Sequence, residues 1–397
     1  MSHSKEVVIL SAVRTAIGDF GGGLKDVPPT RLAAEVVAES VKRSGVEPTD
    51  IGHCVFGNVV HTEPKDMYLS RVAAIEGGLP METPALTLNR LCGSGLQAIV
   101  SATQLIETGT CESAVAGGAE SMSRVPYWSS STRFGQRMGD AMLIDAMVGA
   151  LADPFDSCHM GVTAENIAKK WSISREDQDA LAVESHHRAA RAIQAGYFNE
   201  QILPIDVKSR RETISFTSDE HVRADVTAES LAKLRPVFDK EGSVTAGNAS
   251  GINDAAAAVV LMEATAAKSR GLVPMARIVG YAFAGVDPRY MGIGPVPAVR
   301  SLLEKTGVSI SDIDLFEVNE AFAAQALAVA RDLELPMDKT NPNGSGVSLG
   351  HPIGATGCIL TVKAAYELKR TGGRYALITM CIGGGQGIAA LIERVDA

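Results

Sequence analysis

The chain has 397 residues, 46% of them apolar and only 21% charged, which suits a folded protein whose core is divided into two or more units. Its net charge of −9 argues against nucleic acid as the main partner, and no apolar run approaches the roughly 18 residues that a membrane helix needs. The six cysteines (54, 92, 111, 158, 358 and 381) form no C-x-x-C pair and no metal-ligand spacing, so they are expected as reduced thiols in a cytosol, holding no metal.

Met1 to Lys5 runs straight into the strand-like Val7-Val8-Ile9-Leu10, leaving no room for a targeting segment. The last residues, Arg394-Val395-Asp396-Ala397, are no peroxisomal address. Val7 to Val13 reads as a strand, Arg31 to Ser44 as a helix stopped by Gly45, and Cys54 to Val60 as another strand. Pro84 to Leu91 is then an apolar extended run that delivers a lone cysteine into Asn89-Arg90-Leu91-Cys92-Gly93-Ser94-Gly95, and a helix-compatible run (Leu96, Ile99, Val100, Leu105) follows at once. A cysteine so placed faces unpaired backbone N–H groups and the positive end of a helix dipole, which favour thiolate over thiol. Three plainer readings stand beside the nucleophile: a small buried hydrophobe, a strand-to-helix turn without chemistry, and a dinucleotide fingerprint. Gly93 to Ala98 does fit G-x-G-x-x-G/A, but the region about 20 residues on, Cys111 to Gly117, lacks a clear acidic residue closing the next strand. Ser113 to Ala119 is a further buried strand, and the strand-helix alternation predicts crossover units with a largely parallel sheet.

Residues 121 to about 253 break that rhythm. Pro126 to Thr132 is turn-rich, Arg175 to Ala195 is a long helix with Ser174 as N-cap and Gly196 as its stop, and Lys208 to Asp239 is mixed and polar. Such an excursion is either a functional loop or a structural elaboration. From about 275 the alternation resumes and echoes the first half. Asp50 matches Asp312 and Gly95 matches Gly357, both pairs 262 apart (312 − 50 and 357 − 95), which hints at a duplication.

Three motifs of the second half complete the pattern. Val318-Asn319-Glu320-Ala321-Phe322-Ala323 ends an apolar strand and places an amide at a strand's carboxyl end, where ligands bind in α/β sheets. Asn343 to Gly357 sets His351 among glycines with Pro352 behind it, and Met380-Cys381-Ile382-Gly383-Gly384-Gly385-Gln386-Gly387 closes a buried strand with a second cysteine. Alone, the first is a turn histidine and the second a glycine-rich hairpin. Together with Cys92 they are strand-ending side chains that a sheet could gather at one edge, supplying a nucleophile, a base and the small residues near which an oxyanion can be held.

The motifs NRLCGSG, NEAFA, NGSGVSLGHPIGATG and CIGGGQG, in that order, resemble those of the thiolases, the family of acetyl-CoA acetyltransferases and 3-ketoacyl-CoA thiolases. The resemblance runs from Arg14-Thr15-Ala16-Ile17-Gly18 to Gly387 and is strongest to bacterial broad-specificity β-ketothiolases. It implies an α/β fold of two similar βαβαβαββ halves in a five-layered αβαβα arrangement. Residues 1–120 with 254–274 would be the N-terminal half, 121–253 an inserted loop domain for coenzyme A and oligomer contacts, and 275–397 the C-terminal half. It further implies that Cys92 is acylated, His351 is its base, Cys381 is the second acid/base, and Asn319 holds a water beside His351. The N–H groups of Cys92 and Gly383 would form an oxyanion hole. For substrate and coenzyme A it points to Leu151, His159, Met160, Arg223, Ser230, Leu231, Phe238, Ala246, Ser250, Met291, Ala321 and Phe322. The implied activity is a reversible, ping-pong condensation of short acyl-CoAs in a cytoplasmic homotetramer, a dimer of dimers, with acyl-CoA and CoA as partners. No tightly bound cofactor, nucleic acid or membrane is implied. A degradative thiolase for longer chains, an acyl-lipid carrier on the same scaffold and a dinucleotide-dependent oxidoreductase are the rival expectations. The pair of cysteines and His351 weigh against the carrier. Pro342, Ser345 and Ala255 stand where many members have valine, glycine and glycine, which touches only the acyl-chain preference.

Overall fold

In the computed structural model, which describes residues 5–208 and 212–395, the strands and helices sort themselves by which face of a sheet their apolar residues meet. Residues 209–211 of the polar segment, the first four residues and the terminal Asp396 and Ala397 lie outside the described part. The first half runs β1 (Val7–Thr15), α1 (Pro29–Ser44), β2 (Cys54–Gly57), α2 (Leu69–Glu76), β3 (Ala85–Leu88), α3 (Ser94–Glu107) and β4 (Ser113–Ser121). The excursion contains α4 (Met160–Lys170) and α5 (Arg175–Gln194), the latter capped by Ser174, whose hydroxyl accepts from the N–H of Asp177. Then follow β5 (Asn253–Glu263), β6 (Ala276–Gly285), α6 (Pro295–Thr306), β7 (Leu315–Val318), α7 (Ala323–Leu333), α8 (Thr356–Thr371), β8 (Tyr375–Ile382) and β9 (Gln386–Arg394).

Hydrogen bonding orders these strands β7-β8-β9-β6-β1-β5-β4-β2-β3. The path divides at β1 and β6, which pair only through Val8 with Arg277 and Ile9 with Ala276. Successive side chains point to opposite faces of a strand, so each strand serves two cores. On β5, Ala255, Ala257, Val259 and Leu261 face one core, while Ala256, Ala258, Val260 and Met262 face another. The second of these is covered by α1 and α2. The first packs on α3 and α8, and β8 and β9 close it from the far side with Ile378, Met380, Ile388 and Ala390. Their opposite face, with Leu377, Ala389 and Leu391, packs on α6 and α7. Helices, sheet, helices, sheet, helices: the five layers follow directly from these three cores.

The expected parallel sheet is corrected to a mixed one. Among the described residues β2 with β3, β2 with β4, and β7 with β8 run parallel, as do Arg14 and Thr15 of β1 with Ile202 and Leu203, while β1–β5, β4–β5, β6–β9 and β8–β9 are antiparallel. The reasons are connectivity. A three-glycine turn after Ile382 leaves β9 no course but back along β8, and β5 enters from the excursion at the end where β4 left. The 262-residue echo has a structural counterpart: added to Ser94–Glu107 it falls on α8, and added to Ser113–Ser121 it falls on β8. The repeated helices α3 and α8 lie against each other in the central layer.

Candidate active site

Cys92 stands between β3 and α3, one residue before the N-cap Gly93. The turn is tight enough to hold Leu91 in the left-handed region at φ 46°, a cost that its neighbours offset by hydrogen bonds. The Ser94 hydroxyl accepts from the N–H of Arg90 (2.9 Å) and donates to the Leu91 carbonyl (2.7 Å), and the side-chain oxygen of Asn89 accepts from the N–H of Leu91 (2.8 Å). The glycine pattern that fits a dinucleotide fingerprint has another use. A Cβ on Gly95 would lie 2.7 Å from the backbone N of Cys358, and one on Gly357 would lie 2.5 Å from that of Leu96. The glycines let α3 and α8 touch backbone to backbone, leaving no space there for a pyrophosphate.

Cys92 is half-buried, and burial pushes its thiol up to about 11. The N–H groups of Gly383 and of Cys92 itself point at the sulfur and act in the opposite direction, but less strongly. Burial thus acts against the thiolate that the helix terminus was expected to favour. A base is needed.

His351 is the candidate, since it lines the same cavity as Cys92. Its ring Nδ1 lies 2.6 Å from the Thr356 hydroxyl, whose single proton is already donated to the Pro352 carbonyl (2.9 Å). Nδ1 therefore carries the proton, and Nε2 keeps its lone pair. Burial draws His351 down to about 4, so the imidazole is neutral near pH 7. The amide Nδ2 of Asn319 approaches Nε2 at 3.4 Å, and its Oδ1 is buried with no hydrogen-bond partner among the described residues. Asn319 directly follows β7, which runs parallel to β8 with Val318 opposite Thr379, so Asn319 and Cys381 emerge at the same edge. The Cys381 thiol is raised by burial and then by the charge of Cys92 nearby.

One cavity of about 580 Å³ is lined by Cys92, His351 and Cys381 together. Its walls also carry Leu151, His159, Met160 and Phe238, with Ala246, Ser250, Met291, Ala321 and Phe322. His159 stacks on Phe238 at 4.7 Å between ring centres, and Phe238 meets Phe322 edge-on at 6.3 Å. The remaining expected residues are not on the wall. Asn319 and Gly383 stand behind it, touching His351 and Cys92. Arg223 is exposed and pairs with Asp19, a cavity residue, at 3.3 Å. Ser230 exchanges capping hydrogen bonds with Thr227, and Leu231 is buried against Ala182, Val226 and Val347. The sequence reading missed Asp19, Phe20, Met122 and Thr245 on the wall, and Thr356 and Asn253 behind it. The one signal for Asn253 was the polar pair Asn253-Asp254 at the head of a strand whose middle is apolar.

The family model described as "Thiolase, N-terminal domain" matches residues 7–265, and "Thiolase, C-terminal domain" matches 272–394. Beta-ketothiolase BktB of Cupriavidus necator is 62% identical over 393 residues, 99% of this chain and 100% of that protein. An acetyl-CoA acetyltransferase of Chromobacterium violaceum is 49% identical over 391 residues, 98% of this chain and all of its own. The crystal structure of the Bacillus anthracis acetyl-CoA acetyltransferase superposes with a TM-score of 0.98 at 49% identity, covering 100% of both chains. Human mitochondrial 3-ketoacyl-CoA thiolase in complex with CoA superposes with a TM-score of 0.95 at 46% identity, covering 98% of each. With both halves matched by family models and relatives alike from end to end, the chain belongs to the thiolase family of acyltransferases.

Proposed function

We propose that Cys92, His351 and Cys381 divide between them the β-ketothiolase reaction that this acyltransferase carries out. The observation that carries the assignment is a single cavity joining two neutral thiols to a neutral imidazole whose free lone pair is on Nε2. In the thiolytic direction Cys92 adds to the 3-keto carbonyl of a 3-ketoacyl-CoA while Nε2 of His351 takes the thiol proton. The Cα–Cβ bond breaks as the Cys381 S–H protonates the departing carbon, which leaves as an acyl-CoA. Incoming CoA gives its thiol proton to the Cys381 thiolate and attacks acyl-Cys92. The released Cys92 sulfur recovers its proton from His351. Condensation is the same path reversed, and the covalent intermediate makes the kinetics ping-pong.

The N–H groups of Gly383 and Cys92, already aimed at the sulfur, stabilise the oxyanion formed on carbonyl addition, and the unsatisfied Asn319 Oδ1 suits a water held beside His351. Losing one such donor typically costs about 3–4 kcal/mol of transition-state stabilisation. Coenzyme A enters along His159 and Phe238, with Arg223 turning from Asp19 to its phosphates. We take residues 121–253 as the coenzyme A-binding unit and short acyl-CoAs as substrates, held against Met160, Met291 and Phe322. We also infer a cytoplasmic homotetramer. The free cysteines suit a reducing compartment, and Trp128, Phe134 and Met138 leave an apolar surface exposed for another copy.

Intact-protein mass after brief exposure to acetyl-, propionyl- and eight-carbon acyl-CoA tests the assignment. Wild type should gain one acyl group, with the highest yield for the short chains, and Cys92→Ala none. An adduct that persists in Cys92→Ala removes Cys92 from the role.

A further inference from the structure

The turn that carries His351 belongs to the C-terminal half, yet two of its backbone N–H groups are bound by side chains outside that half, on the β1 side of the sheet order. The N–H of His351 donates to Oδ1 of Asn253 at 2.9 Å, and the N–H of Gly354 donates to Oε2 of Glu120 at 2.9 Å. Both side chains are fully buried, on the adjacent strands β5 and β4, where Glu120 lies opposite Ala255. They issue from the end of the N-terminal half-sheet that faces the cavity.

Each is fixed in its turn. Asn253 Nδ2 donates to the Gly18 carbonyl (3.1 Å) and to Asp19 Oδ1 (3.3 Å), and its amide lies so close under Gly350 that a Cβ there would come within 2.4 Å. Gly350 has φ 102°, a conformation that glycine accepts readily, so residue type and contact agree. The Glu120 carboxylate accepts from Val59 N (3.0 Å), Val60 N (3.1 Å) and Asn58 Nδ2 (3.2 Å) besides Gly354. A Cβ on Gly354 would lie 2.4 Å from its Oε2. Burial raises Glu120 to about 8, against the N–H groups of Val60, Val59 and Gly354, which lower it; with four donors and no described basic partner, its use is to hold loops.

We propose that Asn253 and Glu120 are positioning residues which clamp the His351 turn to the half of the molecule that carries Cys92, fixing the distance over which the thiol proton moves. The clamp rests on the reading of His351 as the base of Cys92. Groups that orient a catalytic side chain commonly cost roughly 10- to 100-fold in activity when lost, and a misplacement of about 1 Å is enough to do so. Neither residue lines the cavity, so substrate affinity should be spared.

The experiment compares Asn253→Ala, Glu120→Gln and His351→Ala with wild type. It measures steady-state kcat and KM and the pH dependence of iodoacetamide labelling of Cys92, read on the Cys92 peptide by mass. Glu120→Gln keeps the shape but turns an NH₂ group toward N–H donors. Both clamp variants should lose kcat by roughly 10- to 100-fold, with KM within about twofold, and Asn253→Ala, which removes no charge, should shift the labelling curve toward higher pH, in the direction of His351→Ala; Glu120→Gln also removes a charge that raises the Cys92 thiol, so kcat is its readout. A folded Asn253→Ala with wild-type kcat and labelling curve, or a folded Glu120→Gln with wild-type kcat, overturns the clamp. If His351→Ala itself leaves the curve unmoved, the base assignment fails instead. Should either clamp variant not fold, amide exchange of wild type decides: the clamp requires the His351 and Gly354 amides to exchange as slowly as those inside β4 and β5. Exchange as fast as in the exposed 130–143 loop overturns it.

Discussion

A thiol raised by burial beside an imidazole lowered by burial is a pair at rest without charge, and that is what the cavity needs before an acyl-CoA arrives. The environment that keeps His351 neutral also has a consequence for stability. His351 and His186 are both lowered from 6.5 to about 4, chiefly by burial, and for His186 also by His221 and Arg223. A histidine whose folded pKa is depressed binds its proton more readily once unfolded. Its contribution is therefore complete above about 6.5 and is lost as the pH falls toward 4, on the order of 3 kcal/mol for each residue. Glu120 and Glu317, raised by burial to about 8 and about 7, act in the opposite sense over the same range, so the histidine contribution is read as a difference between variants. The urea midpoint of His186→Gln, measured against wild type, should gain between pH 6.5 and 4.5, and a difference that is constant over that interval contradicts the buried neutral state.

At the scale of elements, the contact of α3 with α8 sets the height of Cys92 above the sheet. Helix propensity and packing oppose each other at Gly357. Alanine is better in a helix by about 1 kcal/mol, but its Cβ would meet the backbone N of Leu96 at 2.5 Å, which no rotamer can relieve. Overpacking of this kind costs about 1–3 kcal/mol, so Gly357→Ala should melt at a lower temperature than wild type, whereas Gly285→Ala, with nothing nearer than 4.0 Å, should stay close to it. Equal melting of Gly357→Ala and wild type would show that the helices can part. The glycines at 95 and 357 were legible in the sequence as an echo, and so were the Ser174 cap and the turn before Cys92, because each depends on neighbours within a few residues. The antiparallel course of β5 was not, since it depends on where a long excursion rejoins the sheet. Nor was the bond from Asn253 to the His351 backbone, which spans 98 residues, or the inward packing of Leu231. The strength of desolvation at Cys92 was hidden for the same reason: burial is a property of the assembled layers, not of the turn.

For the whole molecule, the question is what covers the apolar side chains that these layers do not. Tyr127, Trp128, Met142 and Leu143 are all more than half exposed, and Phe134 and Met138 reach 96% and 90%. A second exposed group, Met67, Tyr68, Met81 and Leu86, surrounds β3, the strand at the end of the sheet order, whose outer edge has no strand partner among the described residues. An open edge with apolar flanks invites pairing, and soluble chains seldom leave two such patches bare. The dimer of dimers proposed above would give each patch its own use: the β3 edge within a pair, the 127–143 segment between pairs. The two contacts should then separate. Deleting residues 127–134, or replacing Phe134 and Met138 by serine, should halve the number of chains per particle in light scattering from four to two. Acylation of Cys92 should survive, because none of these residues lines the cavity. A particle of unchanged mass after the deletion would assign the tetramer contact elsewhere, and a monomer would mean that the segment holds both contacts at once.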